Sequence, residues 1–124
     1  MKKINNDYGF TLIELIVVVA IIGILAGMTI PKVTNVRNKA DLNVVKSDLR
    51  TLQTSLEIYA MENEYQYPDK SNFENLDFGK TEDFTYEKAG EKYLVYYNEQ
   101  IGGKYYYIKS SGANIENDES EPSL

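Results

Sequence analysis

The fold of this chain is decided by residues 9–31, which read GFTLIELIVVVAIIGILAGMTIP. Between Phe10 and Ile30, a run of 21 residues, the only charged residue is Glu14. A helix of this length would be about 32 Å long, close to the thickness of the hydrocarbon core of a bilayer. Although β-branched residues are frequent here, a lone strand could not pair its backbone groups in lipid. The stretch therefore predicts a transmembrane helix.

The residues before this helix predict a processing site. Lys2 and Lys3 precede the apolar run, and positive charge there is typical of a segment whose N-terminal end stays in the cytoplasm. A secretory signal peptide begins in the same way, but it ends in small residues at a cleavage site. Only residues 27–29, Gly-Met-Thr, come near such a pattern, and they match it weakly. We therefore predict cleavage between Gly9 and Phe10, which leaves the helix in the mature chain.

Glu14 is the anomaly of the apolar run. A lone carboxylate inside a membrane helix costs about 2.5–3.5 kcal/mol on insertion scales. One interpretation places Glu14 at the membrane edge, where it is protonated or reaches water. The other gives it a positive partner from another molecule. Cleavage after Gly9 would create an α-amino group on Phe10, which could approach Glu14 of its own chain or, equally well, Glu14 of a neighbour shifted along the helix axis. Since an unpaired charge is costly in a medium of low dielectric constant, the sequence favours the second interpretation.

Residues 9–31 resemble the class III signal and N-terminal helix of type IV pilins and type II secretion pseudopilins. The family pattern is a short basic leader, Gly-Phe at the cleavage site, Thr-Leu-Ile-Glu-Leu, an apolar run and a proline. Gly9, Phe10, Glu14 and Pro31 match it. The resemblance implies cleavage after Gly9 by a membrane prepilin peptidase, N-methylation of Phe10, and pairing of Glu14 with the N-terminus of a neighbour during assembly.

Gly23, Gly27 and Pro31 weaken the helix, since glycine and proline cost about 1 and 3 kcal/mol in a helix interior. Pro31 also removes the hydrogen bond to the carbonyl of Gly27. A close-packing face with a kink at the membrane exit is one interpretation. The family resemblance implies another, in which this segment loses helicity when the subunit enters a filament. The two are compatible.

After Pro31 the sequence predicts an amphipathic helix, which we assign to residues 32–67. An apolar stripe recurs at steps of four and three residues, as expected for one helix face; its members are Val45, Leu49, Leu52, Leu56 and Tyr59. Residues 68–124 carry too little apolar material to fold alone. We therefore expect them to pack on this stripe.

Residues 68–124 contain three strand-like runs, separated by turn signals at 88–91 and at Gly102-Gly103. They are Phe84–Tyr86, Tyr93–Tyr97 and Lys104–Lys109. The predicted fold class is α+β: a long N-terminal helix, with a transmembrane half and an amphipathic half, packed on a small antiparallel sheet of about three strands, as in pilins. The predicted segments are a leader (1–9), an apolar helix (10–31), an amphipathic helix (32–67) and a β-rich head with an acidic tail (68–124).

The acidic tail, SSGANIENDESEPSL, has two interpretations. One is a solvated, frayed terminus. The other is a calcium loop, because calcium prefers oxygen ligands. The tail resembles the calcium loop of the major type II secretion pseudopilin, which implies side-chain ligands at Asn114, Asp118 and Glu119 and a carbonyl ligand at Ser111. It departs from that pattern, since Asn replaces the first Asp, Glu replaces the last, and the loop is shorter.

Composition limits the functions that remain. The chain has 13 Lys and Arg against 19 Asp and Glu, and this acidic balance disfavours binding to nucleic acid. It has neither His nor Cys, so the usual general base and activated nucleophiles are missing and no enzyme is predicted. The sequence predicts a structural subunit that polymerises through its N-terminal helix into a type IV pilus or a type II secretion-like filament. One alternative is a single-pass anchored module that binds calcium or a cationic ligand without polymerising. Another is a secreted enzyme whose signal peptide is cut near residues 26–29.

The family resemblance also implies partners and a location. The expected partners are further copies of the chain, minor pilins or pseudopilins, the prepilin peptidase that also N-methylates, and an assembly platform protein of the inner membrane. The expected location is a single pass through the cytoplasmic membrane with the head outside the cytoplasm. After assembly, the subunit would lie in a cell-surface or periplasmic filament.

Overall fold

The structure, a computed structural model, describes residues 9–124, so residues 1–8 of the predicted leader lie outside the described residues. The chain divides into two compact units, one ending at Arg37 and the other running from Asn38 to Leu124. The helix α1, Leu12–Glu62, contributes to both. The predicted α+β class is confirmed, because a long N-terminal helix is followed by an antiparallel sheet.

In the first unit, α1 leaves its apolar side chains uncovered. Every side chain from Phe10 to Ile30 is exposed, and the large apolar ones range from 46% exposed at Val18 to 85% at Phe10. Burying apolar surface yields about 25 cal/mol per Å². Within residues 9–124, this part of α1 therefore gains no stabilisation from the burial of its apolar side chains.

In the second unit, the predicted apolar stripe of α1 forms one side of the core. Val45, Leu49, Leu52 and Leu56 are 0–4% exposed, and Tyr59 is half-buried. This confirms that residues 68–124 supply the cover for the stripe. The buried side chains that complete the cluster are Phe73, Phe84, Tyr86, Tyr93, Val95 and Ile108.

The sheet has four antiparallel strands in chain order, one more than the three runs that the sequence indicates. Its strands are β1, Phe84–Ala89; β2, Lys92–Tyr97; β3, Tyr105–Lys109; and β4, Glu116–Asp118. Gly102 and Gly103 join β2 to β3 with φ values of 63° and 80°, a backbone region that favours glycine. The additional strand β4 comes from the segment expected to be a tail, and it pairs with β3 although all three of its residues are exposed.

The end of α1 at Glu62 precedes the boundary at residue 67 that we assigned from sequence. Glu64 and Tyr65 adopt left-handed conformations with φ values of 56° and 63°. The backbone N–H of Tyr65 donates to the carbonyl of Ala60 at 2.7 Å, which satisfies one of the free carbonyls at the helix end. The chain therefore leaves the helix through a left-handed cap made without glycine.

A short helix, α2, spans Lys70–Glu74, in a part of the head for which the sequence analysis assigned no strand. Asp69 caps it, because its side chain accepts a hydrogen bond from the backbone N–H of Asn72 at 2.8 Å. Phe73 is 2% exposed and its ring stacks on that of Tyr86 at a centroid distance of 4.4 Å. Burial of Phe73 thus fixes α2 against the core.

Two buried tyrosines give a matched test of this core. The Tyr86 hydroxyl donates to the carbonyl of Pro68 at 2.7 Å, whereas the buried Tyr93 hydroxyl makes no hydrogen bond of good geometry among residues 9–124, although the Glu57 carboxylate lies near it. Burial raises the pKa of both hydroxyls, so both stay protonated at neutral pH. We expect Tyr86→Phe to lower the free energy of unfolding by about 1–2 kcal/mol, because it leaves a buried carbonyl unpaired. Tyr93→Phe should leave it unchanged or raise it by up to about 1 kcal/mol.

The measurement is urea unfolding of the full chain in detergent micelles, followed by the near-ultraviolet circular dichroism of the tyrosines. The two variants remove the same atom from neighbouring rings, so each is the control for the other. Equal losses in both would contradict the hydrogen bonding described here.

Candidate functional sites

The start of α1 brings together Thr11 and Glu14 in a reciprocal cap. The backbone N–H and the hydroxyl of Thr11 both donate to Oε2 of Glu14, each at 2.8 Å. In return, the backbone N–H of Glu14 donates to Oγ1 of Thr11 at 3.3 Å. This is a capping box, whose sequence signature is Ser or Thr followed three residues later by Glu or Gln. Our sequence reasoning did not use Thr11, although the spacing Thr11-x-x-Glu14 carries that signal.

The predicted cleavage site lies directly before this cap. Gly9 and Phe10 precede the first helical residue, Leu12, and both are exposed. A side-chain carbon added at Gly9 would meet no atom within 4 Å among the described residues. Gly9, Phe10, Thr11 and Glu14 line one shallow surface depression. The structure therefore places the predicted cleavage, methylation and assembly residues at one helix end.

The capping box supplies the Glu14 carboxylate with hydrogen bonds from within its own chain. Its carboxylate is not a bare charge, because Oε2 already accepts two hydrogen bonds from Thr11. Such bonds lower the cost of holding a carboxylate in apolar surroundings, but they add no positive charge. Glu14 is thus held in place at the helix end by hydrogen bonds that leave its negative charge in place.

Gly23, Gly27 and Pro31 lie inside α1, which is continuous through all three positions. A side-chain carbon at either glycine would lie in open space. The hydroxyl of Thr29 donates to the carbonyl of Leu25 at 2.8 Å, a bond of the kind that bends helices. Loss of helicity in this segment stays a prediction.

The four residues proposed for calcium lie in and after the β3–β4 loop. Ser111, Asn114 and Glu119 are exposed positions outside the strands, and Asp118 is the last residue of β4. Oδ1 of Asp118 accepts hydrogen bonds from the backbone N–H and the hydroxyl of Ser120, both at 3.2 Å. These bonds and the backbone N–H of Glu119 hold the pKa of the Asp118 carboxyl below its usual value.

Two neighbouring acids, Glu116 and Glu121, each interact with one tyrosine. Burial and the nearby Glu116 carboxylate raise the pKa of the Tyr107 hydroxyl. Glu121 accepts a hydrogen bond from the Tyr96 hydroxyl at 2.5 Å. Calcium takes six to eight oxygen ligands, several of them carboxylates. Nowhere in residues 9–124 do three acidic side chains converge. The set predicted from the resemblance has two carboxylates, Asp118 and Glu119, fewer than calcium usually gathers, and calcium binding there stays a prediction.

Within the described residues, α1 is the one helix whose length and composition would let it cross a membrane. It lies near the N-terminus, and its most apolar window has no residue buried within the chain. A signal sequence near the N-terminus shares this length and composition.

Comparison with known protein families identifies the motif at the N-terminal end of the chain. Residues 4–30 match the family described as the prokaryotic N-terminal methylation motif. This match confirms the resemblance of residues 9–31 to a prepilin-type N-terminal motif.

Comparison with individual proteins gives a more specific similarity. The chain is 37% identical over 68 residues to type II secretion system core protein G of Escherichia coli, which covers 55% of this chain and 46% of that protein. It is 40% identical over 63 residues to core protein G of Vibrio cholerae, covering 51% and 43%. The corresponding protein of Pseudomonas aeruginosa is 42% identical over 64 residues, covering 52% and 44%. The aligned stretch thus spans a little under half of each relative. No solved structure matches the chain.

Proposed function

We propose that this chain is a prepilin whose processed form polymerises, through the first part of α1, into a type II secretion-like pseudopilus or a related type IV pilus. The observation that carries the proposal is the methylation motif at residues 4–30, placed on a helix whose apolar residues find no cover within the described chain. The similarity to core protein G favours a secretion-type filament. The role is structural, and no catalytic activity is proposed.

The apolar residues 10–30 suit two environments that the chain would meet in succession. In a bilayer, lipid would cover them, and in a filament the same surface would be covered by the corresponding helices of neighbouring copies. Removal of Gly9 and the residues before it would place a positive α-amino group on Phe10, four residues from Glu14. A neighbouring copy shifted along the helix axis would then present its amine to this carboxylate, and the ion pair would be strong in apolar surroundings.

The part of α1 that lies in the second unit carries a further surface that suits contact with another copy. We call it the outer stripe: seven exposed, uncharged residues at alternating steps of four and three. Although 26% of the residues in this chain are charged, none lies in the outer stripe. Apolar residues at this spacing form a seam that packs against another helix; in the outer stripe Ala40, Val44, Ile58 and Met61 are apolar, and the other three residues are small hydroxyl residues. The occupant we propose is α1 of a second copy, because the outer stripe belongs to the same helix as the apolar run. Its members are Ala40, Val44, Ser47, Thr51, Thr54, Ile58 and Met61.

The proposed location follows from the same helix. Lys2 and Lys3 favour a cytoplasmic N-terminal end, which places residues 38–124 outside the cytoplasm. The chain would span the cytoplasmic membrane once and then enter a periplasmic or cell-surface filament. Its proposed partners are copies of itself, minor pilins or pseudopilins, a prepilin peptidase and N-methylase, and an assembly platform protein in the membrane.

The mature N-terminus tests this proposal directly. We expect the chain isolated from its own cells to begin at Phe10 and to carry one additional methyl group on the α-amino nitrogen, as read by mass spectrometry of the N-terminal peptide. In a Gly9→Val variant, the branched side chain at the cleaved bond should leave the leader in place and no filaments should form. An intact leader on the wild-type chain would contradict the proposal, and so would a start within residues 26–29.

A further inference from the structure

The β3–β4 loop, residues 110–115, is tied to α1 by two side chains. Nη1 of Arg50 donates to the carbonyl of Ala113 at 2.6 Å, and Nε2 of Gln53 donates to the carbonyl of Gly112 at 3.3 Å. The two donors come from one helix face, and the two carbonyls are consecutive in the loop. The loop and the helix are separated by about sixty residues of sequence, so these bonds join distant parts of the chain.

The two donors also support each other. Nη1 of Arg50 donates to Oε1 of Gln53 at 3.3 Å, which orients the amide so that its nitrogen faces the loop. We call this pair, Arg50 with Gln53, the arginine clamp. A hydrogen bond from a guanidinium is charge-assisted and stronger than a neutral one, and the guanidinium keeps its charge at every physiological pH.

The clamp lies where a metal would otherwise be expected. The loop leads into the acidic segment that resembles a calcium loop, and its backbone carbonyls are oxygen atoms of the kind that calcium binds. Here two of those carbonyls, of Gly112 and Ala113, already accept hydrogen bonds from the clamp, and two of the acids that follow, Asp118 and Glu121, accept hydrogen bonds from Ser120 and Tyr96. The positive charge that holds this loop is therefore covalently part of the helix.

We propose that the arginine clamp replaces a calcium ion as the device that fixes the β3–β4 loop and β4 onto the head. The inference does not depend on the proposed filament function, since it concerns the folding of a single chain. The clamp orders the loop, and the ordered loop places Glu116–Asp118 in register against β3. Ile115, half-buried against the core, anchors the same connection.

The test compares the full chain in detergent micelles with an Arg50→Gln variant by hydrogen–deuterium exchange. Arg50 is exposed on a helix surface, so the variant should fold. We expect amides of residues 111–118 to exchange about tenfold faster in Arg50→Gln, because the loop loses a charged hydrogen bond, while amides of β1 and β2 keep their protection. Arg50→Lys, which keeps the positive charge but lacks the planar guanidinium with its several donors, should show a smaller increase in the exchange rate.

The matched control is Arg37→Gln, which removes the only other arginine of the chain and should leave exchange unchanged. Each sample is measured with a calcium chelator and again with millimolar calcium, and calcium should alter neither exchange nor the melting temperature. The inference is overturned if calcium raises the melting temperature of the wild-type chain or restores protection to Arg50→Gln. Unchanged exchange of residues 111–118 in Arg50→Gln would also overturn it.

Discussion

Glu14→Gln is expected to leave the chain inserted in the membrane and processed but unable to form filaments. Glutamine still satisfies the capping box with Thr11, so the helix start is preserved. It has no charge to pair with the α-amino group of Phe10 from a neighbour. Breaking a buried ion pair by removing one partner costs about 3–5 kcal/mol, which corresponds to a loss of more than about a hundredfold at each contact. The measurement is the fraction of the chain recovered in sheared filaments, with the membrane fraction as reference.

Two companion variants separate the charge of Glu14 from its role in the cap. Thr11→Ala removes the hydroxyl of the capping box but keeps the carboxylate charge, and we expect filaments to form. Glu62→Gln removes an exposed acid at the other end of α1 and should have no effect. If Glu14→Gln cells yield as many filaments as the wild type, the ion pair is not required. If Thr11→Ala yields equally few filaments, the defect follows the loss of the cap and not the loss of the charge.

Leu52→Ala is expected to lower the free energy of unfolding of the second unit by about 2–5 kcal/mol. Leu52 is 0% exposed within the core cluster, so its truncation leaves a cavity that the sheet and α1 can close only in part. Domains are stable by only about 5–15 kcal/mol, so this loss should lower the melting temperature by roughly 10 °C or more. Thermal unfolding of the full chain in micelles measures it. The tyrosine signal reports on this unit, because ten of the eleven tyrosines are Tyr59 or later residues.

Val44→Ala is the control for this experiment. Val44 lies on the same helix in the outer stripe and is 53% exposed, so its truncation should change the free energy of unfolding by no more than about 0.5 kcal/mol. A loss at Val44 as large as that at Leu52 would mean that both helix faces are buried in the isolated subunit, contrary to the structure.

Much of the fold could be predicted because it rests on periodicity. The stripe from Val45 to Tyr59 carries the helical spacing that α1 shows, and the apolar run that precedes it is assigned from its length. The first three strands are rich in aromatic and β-branched residues, and glycine marks the turn before β3. These signals are local, and the buried core then follows from which face of the helix is apolar.

The remaining elements could not be predicted because their causes are not local. Glu116–Asp118 contains no apolar residue, and its strand state depends on backbone pairing with β3 and on the loop before it. The bond from Arg50 to Ala113 joins residues 63 positions apart, and no spacing in the sequence indicates it. The capping box of Thr11 and Glu14 differs from these, because its signature is readable from four consecutive residues.

The arginine clamp has a consequence for how the subunit responds to its surroundings. A protein that binds a free ion gains stability in proportion to the logarithm of the ion concentration, so its folded fraction follows the medium. A guanidinium carried on α1 is present at a fixed local concentration in every copy and cannot be removed by dilution or chelation. A subunit that folds outside the cytoplasm would thus keep the same stability in ion-poor and ion-rich environments.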